Sequence, residues 1–183
     1  KNLNLLIVEM VNSVKNSNYN QMIKDGFNVC IIGKPNVGKS ELMNKIVSQN
    51  VSIVTEIEGT TRDIIEKAIN LSGYAICFFD TAGFRNTNSL VEKEGILRTK
   101  DKIKTSDIIL HLSDNGNFTK PFAFNSEKTI KVSTKYDINK NKYPETDVYI
   151  SAKKNIGVDQ LKKLILKKLK SFEPNENSYI VNL

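Results

Sequence analysis

The chain has 183 residues, 39% of them hydrophobic and 26% charged, with 27 Lys+Arg against 20 Asp+Glu for a net charge of +7. That is the composition of one folded α/β domain, with or without a short appendage, and not of a disordered chain. Two cysteines exclude a disulfide scaffold, the length excludes a large second lobe, and no apolar run approaches the roughly 20 residues a membrane-spanning helix needs.

Leu3, Leu6, Ile7, Met10, Val11 and Val14 recur at helical spacing and predict a helix with one apolar face over residues 3–15, followed by a polar break from Asn16 to Asn20. Gly26 precedes Phe27-Asn28-Val29-Cys30-Ile31-Ile32, a buried strand by its β-branched content. A Gly-rich turn and a helix from Lys39 to Ser48 come next. Ile64 to Leu71 reads as a half-exposed strand, and Tyr74 to Phe79 as a buried strand ending at Asp80. A helix is expected over Val91 to Lys104, then strands at Ile108–Leu112, Thr129–Val132 and Val148–Ile150, and an amphipathic helix over Val158–Phe172. Strands alternating with helices predict a three-layer α/β fold with a mostly parallel, roughly six-stranded sheet. Cys30 and Cys77 lie inside strand-like runs and read as small buried thiols, and His111, the single histidine, as a strand residue; no zinc site is expected.

The basic balance rests on 24 Lys and only 3 Arg (Arg62, Arg85, Arg98), beside 22 Asn. It reads as compositional bias, with a polyanion-binding face as the alternative, because phosphate- and base-gripping surfaces draw on the planar fork of Arg. The lysine-rich last helix reads as a solvated face over an apolar underside, and no membrane partner is expected. The chain shows no secretory pattern and begins at Lys1 without Met, which leads us to expect a cytoplasmic segment of a longer protein.

Gly33-Lys34-Pro35-Asn36-Val37-Gly38-Lys39-Ser40 fits G-x-x-x-x-G-K-[ST] between a strand and a helix, the context this phosphate-binding loop requires. Its backbone N–H groups and the helix N-terminus face the phosphates, Lys39 reaches the β- and γ-phosphates, and Ser40 ligates Mg²⁺. Asp80-Thr81-Ala82-Gly83 ends a strand at the sheet edge where ligands bind; Asp80 can hold Mg²⁺ through a water, and the Gly83 N–H can meet the γ-phosphate. In Thr134-Lys135-Tyr136-Asp137 the carboxylate can accept from the guanine N1–H and exocyclic amine, which selects GTP over ATP. Ser151-Ala152-Lys153 can supply a backbone N–H to the guanine O6. In Gly59-Thr60-Thr61-Arg62-Asp63 a threonine can complete the Mg²⁺ shell in a segment ordered by nucleotide. Phe84 follows Gly83 where Ras-like enzymes carry a water-orienting glutamine, and no arginine is obviously placed as a finger in cis. Asn36 could help hold a monovalent cation instead, and Glu92 is an acidic residue within reach of a reorganised segment.

With those residues in place the chain resembles the MnmE/TrmE family of tRNA-modification GTPases. The matching pieces are Gly26 to Val29 leading into the phosphate loop, Val54 to Asp63, Asp80 to Arg85 and Val91 to Ile96. The Der/EngA and Era GTPases of ribosome assembly are the nearest alternative, but Glu92 lies only twelve positions after Asp80, as in the MnmE type. The resemblance implies a Ras-like P-loop domain over 26–172, part of a flanking helical domain at 1–25, and a linker into a truncated helical domain at 173–183. It implies GTP/GDP contacts by Asn36, Val37, Gly38, Lys39, Ser40, Glu41, Thr55, Thr60, Thr61, Asp80, Gly83, Thr134, Lys135, Asp137, Ser151, Ala152 and Lys153. It further implies Mg²⁺ on Ser40 and Thr61, with K⁺ on Asn36, Thr55, Ile57 and Thr60 in place of an arginine finger, and Glu92 as the catalytic residue that orients water indirectly. Two such domains pair face to face, and the full-length protein works with an MnmG-type partner on the tRNA wobble uridine, using a folate-derived carbon. Two departures stand out. Thr134 replaces the family's usual Asn, so weaker guanine affinity is expected, and Asn115 to Ser133 is short, so a surface helix is expected to be reduced or absent. An RNA-binding ribosome-assembly switch and a binding-only pseudo-GTPase are the alternative readings.

Overall fold

The computed structural model describes residues 3–49, 65–80, 100–118 and 125–173. Among them a six-stranded sheet has the order β2-β3-β1-β4-β5-β6. Its strands are β1 (Phe27–Gly33), β2 (Ile65–Leu71), β3 (Tyr74–Asp80), β4 (Ile108–Ser113), β5 (Thr129–Ser133) and β6 (Val148–Tyr149). All neighbours are parallel except β2 and β3, which pair antiparallel from Leu71↔Tyr74 to Ile65↔Asp80. Ser72 and Gly73 close that hairpin at φ 53° and 93°, the primed-turn geometry whose twist matches that of the strands.

The central strand β1 is apolar apart from Asn28 because both its faces are covered. Phe27, Val29 and Ile31 join a large core with Leu42, Met43 and Ile46 of α2 (Lys39–Ser48) and Leu161, Ile165 and Leu169 of α3 (Val158–Lys170). Cys30 and Ile32 point the other way and pack with Ile109 and with Ile103 of the helical residues 100–105. The result is the three-layer, mostly parallel fold expected. Burial pushes the Cys30 thiol up to about 12, which makes it an inert packing group; Cys77 is half-buried. His111 is a buried strand residue, with its ring edge-on to Phe118 at 5.3 Å between centroids.

Helix α1 (Leu3–Asp25) runs straight through the stretch expected to be a polar break. Asn and Ser are only mediocre helix formers, but residues 16–20 hold neither Gly nor Pro to stop the helix. Its C-terminal half packs on the core through Tyr19 and Met22, and Tyr19, Tyr74 and Phe172 surround Phe27 with ring centroids 5.7–6.5 Å away. The Tyr74 hydroxyl donates to Glu173, which pins the end of α3's extension to β3. The apolar face read from Leu3 to Val14 lies on the helix, but those six side chains are exposed. No helix among the described residues is long and apolar enough to cross a membrane. Between β4 and β5 the described residues, 114–118 and 125–128, form turns and bends.

Candidate nucleotide-binding site

The order of the sheet determines where a ligand can sit. The chain leaves β1 through α2 for β2 and β3 on one side and leaves the neighbouring β4 for β5 and β6 on the other, so a crevice opens beyond the carboxyl ends of β1 and β4. The phosphate loop begins there. Gly33 is held where an added Cβ would stand 2.5 Å from the Leu112 carbonyl oxygen and 3.0 Å from Val37, so only glycine lets the loop start against β4. Gly38 caps α2 at φ 96°, in the left-handed region. The Lys39 ammonium donates to the Gly33 and Lys34 carbonyls at 2.9 Å each and is 6% exposed. A cation thus sits inside the curl of the loop, beside the positive end of the α2 dipole.

Ser40 lies in the first turn of α2 and Asp80 closes β3, and the serine hydroxyl donates to Asp80 Oδ2 at 2.5 Å. Asp80 is fully buried. One carboxylate and one hydroxyl are hard oxygen donors that suit Mg²⁺, which fills the rest of its octahedron with water and phosphate oxygens. No cluster of three or more His, Cys, Asp or Glu occurs among the described residues.

A cleft of about 150 Å³ lies beside the loop, lined by Val37, Gly38, Glu41, Thr134, Lys135, Asp137, Ile138, Ile150, Ser151, Ala152 and Lys153. Nine of these eleven are residues that the motifs and the family resemblance assigned to the nucleotide. The two isoleucines were not; they supply the apolar walls that a flat base needs. Parallel pairing of Ser113 with Ser133 sets the next residues side by side. Lys135 there donates to Asp114 Oδ2 at 2.8 Å, a partner the motif did not name. Thr134, 4% exposed, donates through its hydroxyl to the Val37 carbonyl at 2.8 Å and lies 3.4 Å from the Ser113 carbonyl. The hydroxyl therefore links the base motif to the phosphate loop. The Ser151 side chain hydrogen-bonds Asp137 and, with Lys153 and Lys154 nearby, holds its carboxyl below the usual carboxylate range. The charged, proton-accepting form is the one the pocket favours.

Asn36 stands in the loop at φ 60°, exposed. Thr55, Ile57, Thr60, Thr61, Gly83 and Glu92, with Arg62, Phe84 and Arg85, lie outside the described residues.

A parallel sheet with a lysine-bearing phosphate loop at its crossover, a serine–aspartate oxygen pair and an adjoining base-sized cleft defines a P-loop GTPase domain. The chain belongs to the 50S ribosome-binding GTPase family, whose model matches residues 28–153. It is 40% identical over 152 residues to the tRNA modification GTPase MnmE of Agrobacterium fabrum, covering 81% of this chain and 34% of that protein. It is 37% identical over 175 residues to the MnmE of Legionella pneumophila strain Paris, covering 90% and 39%. The chain thus spans little more than a third of these relatives. Among solved structures, Aquifex aeolicus Era bound to GDP·AlF4⁻ superposes with a TM-score of 0.55 at 32% identity, over 77% of this chain and 56% of that one. The G domain of Thermotoga maritima FeoB shares the fold at a TM-score of 0.52 and 22% identity, over 80% and 98%. The resemblance carried by short motifs thus extends over most of the domain.

Proposed function

We propose that this chain is the GTP-binding and GTP-hydrolysing domain of a longer protein that modifies the tRNA wobble uridine, with turnover raised by K⁺ and by face-to-face pairing of two copies. The observation that carries this reading is the Thr134–Val37 hydrogen bond. It joins the base cleft to the phosphate loop, so that one ligand with a purine at one end and phosphates at the other spans both. Asp137 accepts from the N1–H and exocyclic amine of guanine, and a backbone N–H at Ala152 meets O6. Lys39 exchanges its loop carbonyls for phosphate oxygens, and the N–H groups from Val37 to Ser40 line the cradle. Ser40 and Asp80 hold Mg²⁺, joined by Thr61, and Asn36 contributes an amide oxygen to K⁺ with Thr55, Ile57 and Thr60. When bound, such a cation would offset charge at the phosphoryl group that an arginine otherwise meets. Glu92 positions water. Residues 26–172 form the GTPase unit, with 1–25 and 173–183 belonging to a flanking helical domain; the protein acts in the cytoplasm with an MnmG-type partner and a folate derivative.

The test is multiple-turnover GTP hydrolysis in KCl against NaCl at equal ionic strength, with Glu92→Ala alongside. Faster turnover in K⁺, and a variant that keeps GDP affinity but loses most turnover, are expected. Equal rates in the two salts would remove K⁺, and near-normal turnover in the variant would remove Glu92.

A second reading has support in the 50S ribosome-binding family and in Lys163, Lys167 and Lys170, exposed along one face of α3. In that reading the domain switches RNA binding during ribosome assembly. Salt-dependent binding of the chain to large ribosomal subunits would favour it.

A further inference from the structure

Resting on the guanine-nucleotide reading above, we infer that this pocket does not read the purine N7 and binds guanine and 7-deazaguanine nucleotides alike, because the one proton of Thr134 is already committed within the protein. The cleft is lined by Val37 and Gly38 of the phosphate loop and by Asp137 and Ser151, and Thr134, 4% exposed and bonded to the Val37 carbonyl, lines it with them. A purine whose N1 edge faces Asp137 and whose ribose leads back to the phosphate loop sets its imidazole ring over that lining. A hydroxyl carries a single hydrogen. The two protein acceptors beside Thr134 Oγ1 are the Val37 carbonyl at 2.8 Å and the Ser113 carbonyl at 3.4 Å, so either way the hydrogen points into the protein. What remains on the oxygen are lone pairs, and N7 also presents a lone pair; no hydrogen bond can join them.

Two nearby backbone donors are engaged as well. The Thr134 N–H goes to the Ser113 carbonyl at 2.8 Å and the Tyr136 N–H to the Ile150 carbonyl at 3.0 Å. The Lys135 ammonium is drawn to Asp114. Discrimination therefore concentrates on the Asp137 edge and on O6, and the imidazole edge is left to shape alone. An asparagine at position 134 would differ in one countable respect. Its amide has two hydrogens, so one can serve the Val37 carbonyl while the second remains for N7.

Calorimetric titration of the chain with Mg²⁺-GDP and Mg²⁺-7-deaza-GDP tests this without hydrolysis intervening. The two dissociation constants are expected to agree within about twofold in the natural sequence, and to separate by about tenfold in Thr134→Asn through tighter GDP binding, the ratio one added hydrogen bond supplies. A fivefold or greater loss for the deaza nucleotide in the natural chain would overturn the inference. So would a Thr134→Asn protein that binds GDP but still treats both nucleotides alike. Failure of the natural chain to bind GDP at all would instead overturn the nucleotide reading on which the inference rests.

Discussion

Replacing Thr134 by Val removes a hydroxyl and almost nothing else, since the two side chains have nearly the same shape. The residue is 4% exposed, and its hydroxyl hydrogen bonds the Val37 carbonyl at 2.8 Å from 97 positions away in sequence. Val37 is itself buried, so the carbonyl that loses this donor is not simply handed to bulk water. A buried acceptor left short of a partner costs about 1–3 kcal/mol, against roughly 1 for the net value of an ordinary hydrogen bond. Burying a methyl in place of the hydroxyl returns a fraction of that, so the lower half of the range is expected. With a urea slope of roughly 2 kcal/mol/M, a loss of about 1–2 kcal/mol moves the unfolding midpoint down by about 0.5–1 M with the slope unchanged. The assay is urea unfolding of the nucleotide-free chain, followed by circular dichroism. A midpoint equal to or above that of the natural sequence would show that the bond contributes nothing, and would remove the physical link between the base cleft and the phosphate loop.

Other consequences follow from single residues. Asp137→Asn replaces a pure acceptor by a group that also donates, so GDP affinity is expected to fall by at least tenfold while xanthosine diphosphate, which carries a carbonyl in place of the amine, gains; unchanged GDP binding would take Asp137 out of base recognition. Hydrogen bonding from Ser151 holds the Asp137 carboxyl below its ordinary value. A lowered folded value means the charged form persists through the usual range near about 4, so Asp137's share of GDP affinity, read as the ratio to Asp137→Asn so that the nucleotide's own phosphate titration near about 6 cancels, should be flat from pH 7 to about 5 and fall only as pH drops through that lower value. Ser151→Ala should move the fall upward, and a decline already present between pH 7 and about 5 would contradict this assignment. Gly33→Ala places a Cβ 2.5 Å from the Leu112 carbonyl oxygen; a loss of about 1–3 kcal/mol by urea unfolding is expected, and an unshifted midpoint would mean β1 and β4 approach less tightly there.

The phosphate loop, its strand and its helix were legible because glycine spacing, a buried apolar run and a helix start coincide over Phe27 to Ser48. The strands were legible from their β-branched runs, and the base motif from the order of Thr134–Asp137 and Ser151–Lys153. What sequence could not supply is pairing. That Lys135 meets Asp114, and that Ile138 and Ile150 wall the cleft, depend on the register of β4, β5 and β6. Register is set by packing across the whole sheet. The polar interruption at Asn16 to Asn20 misled for a related reason: low propensity alone does not end a helix that anchors Tyr19, within that stretch, and Met22, just after it, on the core. At Thr134 the residue type alone suggested weaker guanine affinity, whereas the hydroxyl's reach to Val37 could be seen only once the loop and the strand end were side by side.

The most direct measurement is a calorimetric comparison of GDP and ADP on this chain in the presence of Mg²⁺. A single GDP site, with ADP weaker by about 100-fold or more, is what a cleft lined by Thr134 and Asp137 predicts, because adenine offers no N1–H and amine pair to that carboxylate. Equal affinity for the two nucleotides, or GDP binding that survives Asp137→Asn undiminished, would contradict the placement of guanine in this cleft.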